Sequence, residues 1–153
     1  MRPGCGPHAR GSPCTKRKAV GADIWRRRDQ SGNSRAVTEH NAQVEGVADR
    51  VELVDADARD MPFPSASFDL VVSNLALHNI RDYDERKEAL CEVVRVLRAG
   101  GQLRIVDDGA NHYDEVLREA GCRDVTVGRL DWRTWFGVPG HHLFLVAATK
   151  PAD

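Results

Sequence analysis

Polar side chains that can hold a ligand follow two apolar runs of strand length. The first run, Val51 to Val54, leads into Asp55-Ala56-Asp57-Ala58, and the second, Phe68 to Val72, leads into Ser73-Asn74. Short runs rich in β-branched residues and bounded by Asp, Asn and Ser predict strands of a sheet covered on both faces. In open α/β sheets, ligands bind at the carboxyl ends of the strands. These carboxylate and amide groups therefore predict a ligand site at that edge.

Histidine is the residue type that can add proton transfer to this edge. His78 follows the second run, in the segment N-L-A-L-H-N, and an imidazole there can accept a proton from a substrate nucleophile. A histidine that makes only a local hydrogen bond is the commoner case. His141 and His142 have no acidic or thiol partners at metal-ligand spacing, so no metal site is predicted. No catalytic residue is assigned from the sequence.

Alternating strands and helices must position these groups. Hydrophobic periodicity and capping residues predict strands at about 19–25, 51–54, 68–73, 103–106, 124–129 and 142–148, and helices at about 34–45, 84–98 and 111–120. The last two strands follow each other without a helix, so their pairing should be antiparallel. The earlier crossovers are long enough for parallel pairing. The pattern predicts a doubly wound, mostly parallel α/β sheet with a C-terminal antiparallel hairpin.

Composition predicts one globular domain with a basic arm. The chain has 153 residues, of which 41% are hydrophobic and 29% charged. Residues 1–17, rich in Pro and Gly, are expected to be an irregular or disordered arm, and residues 18–151 the domain. The arm lacks interleaved aromatic residues, so no nucleic-acid partner is predicted. With no apolar run of about 20 residues and no secretory signal, we expect no membrane span and a cytoplasmic location.

The ordered motifs resemble those of the class I S-adenosylmethionine-dependent methyltransferases, with a type 11/25-like domain. The resemblance covers Lys18 to Pro151, and its motifs are V-G-A-D-I-W at 20–25, N-A-Q-V-E-G-V-A-D-R-V at 41–51, D-A-R-D-M-P-F at 57–63, S-F-D-L-V-V-S-N at 67–74 and L-R-A-G-G at 97–101. It implies a Rossmann-like fold, S-adenosyl-L-methionine as the cofactor, and methyl transfer to an unidentified acceptor. A small-molecule acceptor is favoured.

The resemblance also implies roles for five residues. Asp23 would accept hydrogen bonds from the ribose hydroxyls, and Ile24 would pack on the adenine. Asp57 would receive the adenine amino group, and Ala58 is small enough to let the ring approach. Asn74 would lie beside the methionine portion of the cofactor. As structural alternatives, Asp57 fits a turn residue and Asn74 fits a helix or loop cap.

The N-terminal part departs from the family pattern. The family begins with an apolar strand and a loop of the form D-x-G-x-G-x-G, to which only Gly4 and Gly6 correspond here, and His8 stands where a glycine is expected. The first strand and the loop are therefore predicted to be degenerate or missing, in a chain that is N-terminally truncated or altered. In the family this strand lies between the strands at Val20 and Phe68, so its loss predicts two unpaired sheet edges.

Two classes of function are compatible with a chain that has unpaired sheet edges. One is methyl transfer, with homodimerisation through the edges. The other is a non-catalytic methyltransferase remnant or interaction module that lacks an intact cofactor loop. A nicotinamide-dependent oxidoreductase would share the acid after the strand at Val20, but it fits neither the turn at Asp57 nor the closing hairpin.

Overall fold

A computed structural model describes residues 18–26, 33–110, 112–131 and 142–152. Its helices and strands are, in chain order, β1 (Ala19–Asp23), α1 (Arg35–Val44), β2 (Val51–Asp55), β3 (Phe68–Asn74), α2 (Tyr83–Val96), β4 (Leu97–Asp108), α3 (Tyr113–Glu119), β5 (Arg123–Arg129) and β6 (Leu143–Thr149). Each predicted element is present, and most end close to the predicted residues. The described residues up to Asp55 and those from Ala56 onward form two compact units.

The first unit pairs two parallel strands with one helix. In the sheet, Ala19 of β1 lies opposite Val51 of β2, and Asp23 lies opposite Asp55. Helix α1 begins after Ser34, whose hydroxyl oxygen accepts a hydrogen bond from the backbone N–H of Val37. Such a cap satisfies one of the donors that a helix leaves unpaired at its start.

The apolar face predicted for α1 is not buried. Val37 and Val44 are both exposed, and α1 has no buried residue. The described part of this unit contains two strands, α1 and one 3₁₀ turn at 48–50, so the helix has little apolar surface to pack against. The helical period of the sequence therefore predicted the helix correctly. It did not show whether the apolar face of that helix packs against another element.

The second unit holds a four-stranded sheet in the order β3-β4-β6-β5. β3 and β4 are parallel, whereas β6 is antiparallel to both β4 and β5. The predicted antiparallel pairing of the last two strands is confirmed. β6 lies between β4 and β5, so the final strand of the chain is central in this sheet.

Strand β4 begins earlier than predicted. The helical pattern was expected to run to Arg98, with Gly100 and Gly101 as its C-terminal stop, but α2 ends at Val96 and both glycines lie in β4. A Cβ atom on Gly101 would come within 3.2 Å of the Phe68 carbonyl oxygen and 2.8 Å of the Arg98 carbonyl oxygen. A glycine is needed there because carbonyl oxygens of β4 itself and of the neighbouring β3 both lie too close to leave room for a side chain.

The core of this unit lies on one face of the sheet, under α2 and α3. Its largest fully buried apolar side chains come from α2, α3, β4 and β6; they are Leu90, Val96, Leu97, Leu103, Ile105, Val116, Leu117 and Val146. The opposite face is open at β3, where Leu70 and Val72 are 53% and 69% exposed. The unit is therefore covered on one side only among the residues described.

Both edge strands of each described sheet have a single partner. In the described residues β1 pairs only with β2, and β3 pairs only with β4. The expectation of two unpaired edges stays a prediction. The predicted arm, residues 1–17, lies outside the described residues.

Candidate functional site

Asp23 ends β1 and is held by two hydrogen bonds. Its Oδ1 accepts from the backbone N–H of Trp25 at 2.7 Å, and its Oδ2 accepts from Asn33 Nδ2 at 3.3 Å. A carboxylate has about four acceptor positions, so the described contacts leave room for two hydroxyl donors. The predicted ribose contact therefore fits this residue, and Ile24 beside it is exposed, as a surface for a flat ring requires.

Trp25 joins the ends of the two strands in the first unit. Its φ of 53° turns the chain sharply after β1, and its indole Nε1 donates to Asp55 Oδ1 at 2.7 Å. The guanidinium of Arg35 also donates to Asp55 Oδ1, at 3.2 Å. Sequence reasoning missed this link, although a tryptophan directly after a strand end, with an acid at the end of the next strand, was a usable signal.

Asp57, in the second unit, forms a tight turn with Arg59. Its Oδ1 accepts from the backbone N–H of Arg59 at 3.0 Å and from Nε of the same residue at 2.9 Å. Asp60 N–H donates to the Asp57 carbonyl at 3.1 Å. The pKa of Arg59 is raised, first by its hydrogen bond to Asp57 and then by the charges of Asp57 and Glu85. The turn interpretation of Asp57 agrees with these contacts, and its role toward adenine stays a prediction.

An ion pair on α2 holds the loop that follows this turn. Arg95 donates to the carbonyl oxygens of Phe63 at 2.8 Å and Met61 at 3.0 Å, and pairs with Glu92 at 2.6 Å. Glu92 Oε2 accepts from the backbone N–H of Met61 at 2.9 Å. The irregular Met61-Pro62-Phe63-Pro64 loop is thus fixed by side chains, because its prolines cannot donate backbone hydrogen bonds. Ala58 packs, partly buried, against the core.

Asn74 ends β3 with an exposed side chain. The next residue, Leu75, has a φ of 53° and donates its backbone N–H to the Val106 carbonyl at 2.8 Å. This bond ties the segment after β3 to the carboxyl end of β4. Asn74 therefore lies at the predicted edge of the sheet, and its contact with a cofactor stays a prediction.

A buried acid at the same edge holds His78. Asp107, near the end of β4, is the fully buried charged residue of the described core. Its Oδ1 lies 2.6 Å from His78 Nδ1, and its Oδ2 accepts from the His78 backbone N–H at 3.0 Å. Tyr113 on α3 donates its hydroxyl to Oδ2 at 3.0 Å, and Asp108 donates its backbone N–H to Oδ1 at 3.0 Å. The ring of His78 therefore makes a hydrogen bond, but to a residue 29 positions along the chain rather than to a local group.

Tyr113 stays a donor in this cluster over the usual pH range. Burial raises the pKa of its hydroxyl, and the charge of Asp107 and the hydrogen bond to it raise the pKa further. The guanidinium of Arg86 opposes part of that rise. Sequence reasoning placed Asp107 only at a strand end and missed its burial. The period of two in Leu103, Ile105 and Asp107 was the signal, because alternate strand residues share a face.

Other predicted features have a simpler outcome. Gly4, Gly6 and His141 lie outside the described residues. Within the described ranges, no three His, Cys, Asp or Glu side chains are grouped closely enough to hold a metal ion. No helix in those ranges has both the length and the apolar character to cross a bilayer. Cys91 and Cys122 are free thiols.

Two sequence comparisons identify relatives of the chain. A family profile described as "Methyltransferase domain" matches residues 2–105, so the match begins inside the predicted arm and includes Gly4 and Gly6. The "Ubiquinone/menaquinone biosynthesis C-methyltransferase UbiE" of Hahella chejuensis (strain KCTC 2396) is 44% identical over 62 residues. That stretch is 40% of this chain and 24% of the relative. The chain thus matches about a quarter of the curated relative's length.

Solved structures share the fold at low sequence identity. The [4+2]-cyclase SpnF superposes with a TM-score of 0.71 at 17% identity, over 90% of this chain and 68% of the cyclase. A Haemonchus contortus phosphoethanolamine-type N-methyltransferase, solved with phosphomonomethylethanolamine and S-adenosylhomocysteine, gives a TM-score of 0.67 at 19% identity, over 88% of this chain and 44% of the enzyme. The predicted Rossmann-like α/β fold is confirmed. The match to the methyltransferase domain profile supports S-adenosylmethionine as the cofactor.

Proposed function

Because the chain belongs to the methyltransferase domain family, we propose that it transfers the methyl group of S-adenosylmethionine to a small-molecule acceptor. The observation that carries this proposal is the profile match over residues 2–105, which includes the ends of β1, β2 and β3. The match also includes the segment of Gly4 and Gly6 that the family resemblance assigns to the cofactor loop. Fold alone would not suffice, since a structural neighbour is a cyclase.

The side chains at the strand ends would hold the cofactor in different ways. Asp23 retains acceptor positions for ribose hydroxyls, and Ile24 offers an exposed apolar surface to the adenine. Asp57 would accept from the adenine amino group while Arg59 keeps its carboxylate in place. The bound cofactor supplies an electrophilic methyl group. The protein's task is then to orient the acceptor and exclude water rather than to provide a covalent nucleophile.

A quinol is the acceptor we propose to test first. The matched Hahella protein is by name a C-methyltransferase of ubiquinone and menaquinone biosynthesis, 44% identical over the shared 62 residues. A demethylmenaquinol with a short prenyl side chain is a practical acceptor for the assay. Transfer of a radiolabelled methyl group from S-adenosylmethionine to this quinol would support the proposal.

Calorimetric titration with S-adenosylhomocysteine separates the two function classes. We expect heat of binding at micromolar ligand from the full chain, after circular dichroism has confirmed that it is folded. A folded chain that gives no heat below millimolar ligand would contradict methyl transfer. That result would favour the interaction module, which the single-partner edges of β1 and β3 make a specific second candidate.

A further inference from the structure

The carboxylate of Asp107 has its hydrogen-bonding capacity filled by four donors. Oδ1 takes the His78 ring and the Asp108 backbone N–H, and Oδ2 takes the His78 backbone N–H and the Tyr113 hydroxyl. A carboxylate at 0% exposure is costly unless such donors compensate the lost hydration. All four contacts are satisfied together when Asp107 acts as acceptor only.

This network assigns the proton on the His78 ring. Because Asp107 Oδ1 is an acceptor, the ring nitrogen at 2.6 Å from it, Nδ1, must donate. In a neutral imidazole the other nitrogen, Nε2, then carries the lone pair. The His78 side chain is 35% exposed while its Nδ1 side is turned toward a fully buried acid. The ring therefore has its acceptor nitrogen on the side away from Asp107.

His78 and Asp107 lie at the edge of the sheet formed by the carboxyl ends of β3 and β4. His78 comes four residues after the end of β3, and Asp107 is the penultimate residue of β4. Leu77, which precedes the histidine, is 3% exposed, and with the Leu75 bond to Val106 it fixes this segment on β4. In α/β sheets this is the edge at which ligands lie.

We propose that His78 is the general base that takes a proton from the methyl acceptor, with Asp107 and Tyr113 as positioning residues. The inference rests on the proposed function and narrows its substrate class to acceptors with a dissociable proton on or conjugated to the nucleophilic atom, such as an aromatic hydroxyl compound. An amine that is already neutral or a thioether would have no use for this base.

The proton and electrons balance in one step for a quinol. The O–H bond of the ring hydroxyl breaks, and its proton forms an N–H bond at His78 Nε2. The electron pair released into the ring forms the bond from a ring carbon to the methyl carbon, and the methyl–sulfur bond breaks with its pair going to sulfur. The C–H proton at the methylated carbon then leaves as the hydroxyl is restored, so one proton is released overall.

Ring nitrogen NMR tests the geometry without any acceptor. In uniformly ¹⁵N-labelled full chain, the His78 signals are those absent from the His78→Gln variant. We expect a neutral ring protonated at Nδ1, and loss of that preference in Asp107→Asn, which fills the same space but weakens the charged hydrogen bond. A wild-type ring protonated at Nε2 would overturn the proposal.

Turnover of the demethylmenaquinol then tests the chemistry. We expect His78→Gln to lower kcat about 10²- to 10⁴-fold while leaving S-adenosylhomocysteine affinity unchanged. His40→Gln, which alters an exposed histidine of α1, should keep the wild-type rate. A His78→Gln variant with wild-type kcat refutes the base alone. A wild-type chain that methylates no quinol contradicts the proposed acceptor, and the ring nitrogen measurement then decides the base assignment.

Discussion

At the scale of single residues, Asp23 has the contacts best suited to a cofactor hydroxyl pair. Replacing it with alanine should weaken S-adenosylhomocysteine binding at least about tenfold, because hydrogen bonds to a charged group contribute about 1.5–3 kcal/mol each. Calorimetry measures the dissociation constant. Asp69→Ala is the matched control, since it removes an exposed acid whose ion pair with Arg98 lies at the start of β3, away from the ligand edge. If the Asp23→Ala and wild-type chains bind S-adenosylhomocysteine equally well, Asp23 does not bind the ribose hydroxyls.

Glu92 should make the stability of the second unit sensitive to acid. Its pKa is lowered, first by the hydrogen bond from Arg95, and its carboxylate also holds Met61. A lowered folded-state pKa gives stability that is present above the unfolded value of 4.5 and is lost as pH falls toward the folded value. We expect Glu92→Gln to cost about 1–2 kcal/mol at neutral pH and to flatten the decline below pH 4.5.

Urea unfolding at several pH values measures this difference. Glu88→Gln is the matched control, because it neutralises an exposed glutamate on the same helix. If the stability of both variants falls with pH in parallel with that of the wild-type chain, the contacts of Glu92 with Arg95 and Met61 contribute nothing measurable to the free energy of unfolding.

Residue types at strand ends could be predicted from the sequence, but their partners could not. Asn74 ends β3 as expected, whereas Asp57 lies in a turn two residues beyond the last residue of β2. The pairing of His78 with Asp107 joins residues 29 positions apart, and it depends on β3 and β4 being neighbours. The parallel pairing of β3 with β4 is what brings His78 and Asp107 together. A single sequence does not specify which side chain fills the space between α3 and β4.

At the scale of elements, the core beneath α2 and α3 should dominate stability. Leu117 of α3 is fully buried, whereas Leu70 of β3 is 53% exposed. Leu117→Ala should lower the free energy of unfolding by about 2–5 kcal/mol, through lost apolar contact and a residual cavity. Leu70→Ala removes the same atoms from an open face and should cost less than about 1 kcal/mol. Urea titration followed by circular dichroism compares the two, and equal costs would mean that the Leu70 face is covered in solution.

Hydrophobic periodicity predicted which segments form helices and strands. It did not predict which of these elements are buried. The α1 stripe has the same spacing as the buried stripe of α2, yet Val37 and Val44 are exposed and Leu90 and Val93 are buried. The difference lies in what packs against each helix, which is a property of the neighbouring strands. The start of β4 was similarly missed, because two consecutive glycines are typical of a helix stop, whereas here Gly101 lies in a close backbone contact and Gly100 has a φ of 73° within the strand.

At the scale of the whole molecule, the alternation of strands and helices predicted the α/β topology. The order β3-β4-β6-β5 follows from helix-linked parallel pairing and a closing hairpin. The division into two compact units was not foreseen, since 153 residues of ordinary composition indicate one domain. Composition gives the number of apolar residues in the chain, but it does not show whether they form one core or two.

The edge and open face of β3 predict self-association of the chain. Antiparallel pairing of two β3 strands about Val71 would place Leu70 opposite the second copy's Val72 and Asp69 opposite its Ser73, so no like charges face each other. Such a contact is two-fold symmetric and joins apolar side chains that are exposed in one chain. Unprotected edges of this kind are the usual route by which sheets pair between chains.

Substitution of Val72 tests this arrangement because the residue is 69% exposed. Val72→Lys should shift the chain toward monomer in sedimentation velocity, since it places a charge on the paired face, while changing the free energy of unfolding by about 0.5 kcal/mol or less. Val44→Lys makes the same change at a residue of α1 that is 70% exposed and should leave association intact. If Val44→Lys dissociates the chain and Val72→Lys does not, association occurs through the α1 stripe, because the two variants differ only in which uncovered surface receives the charge.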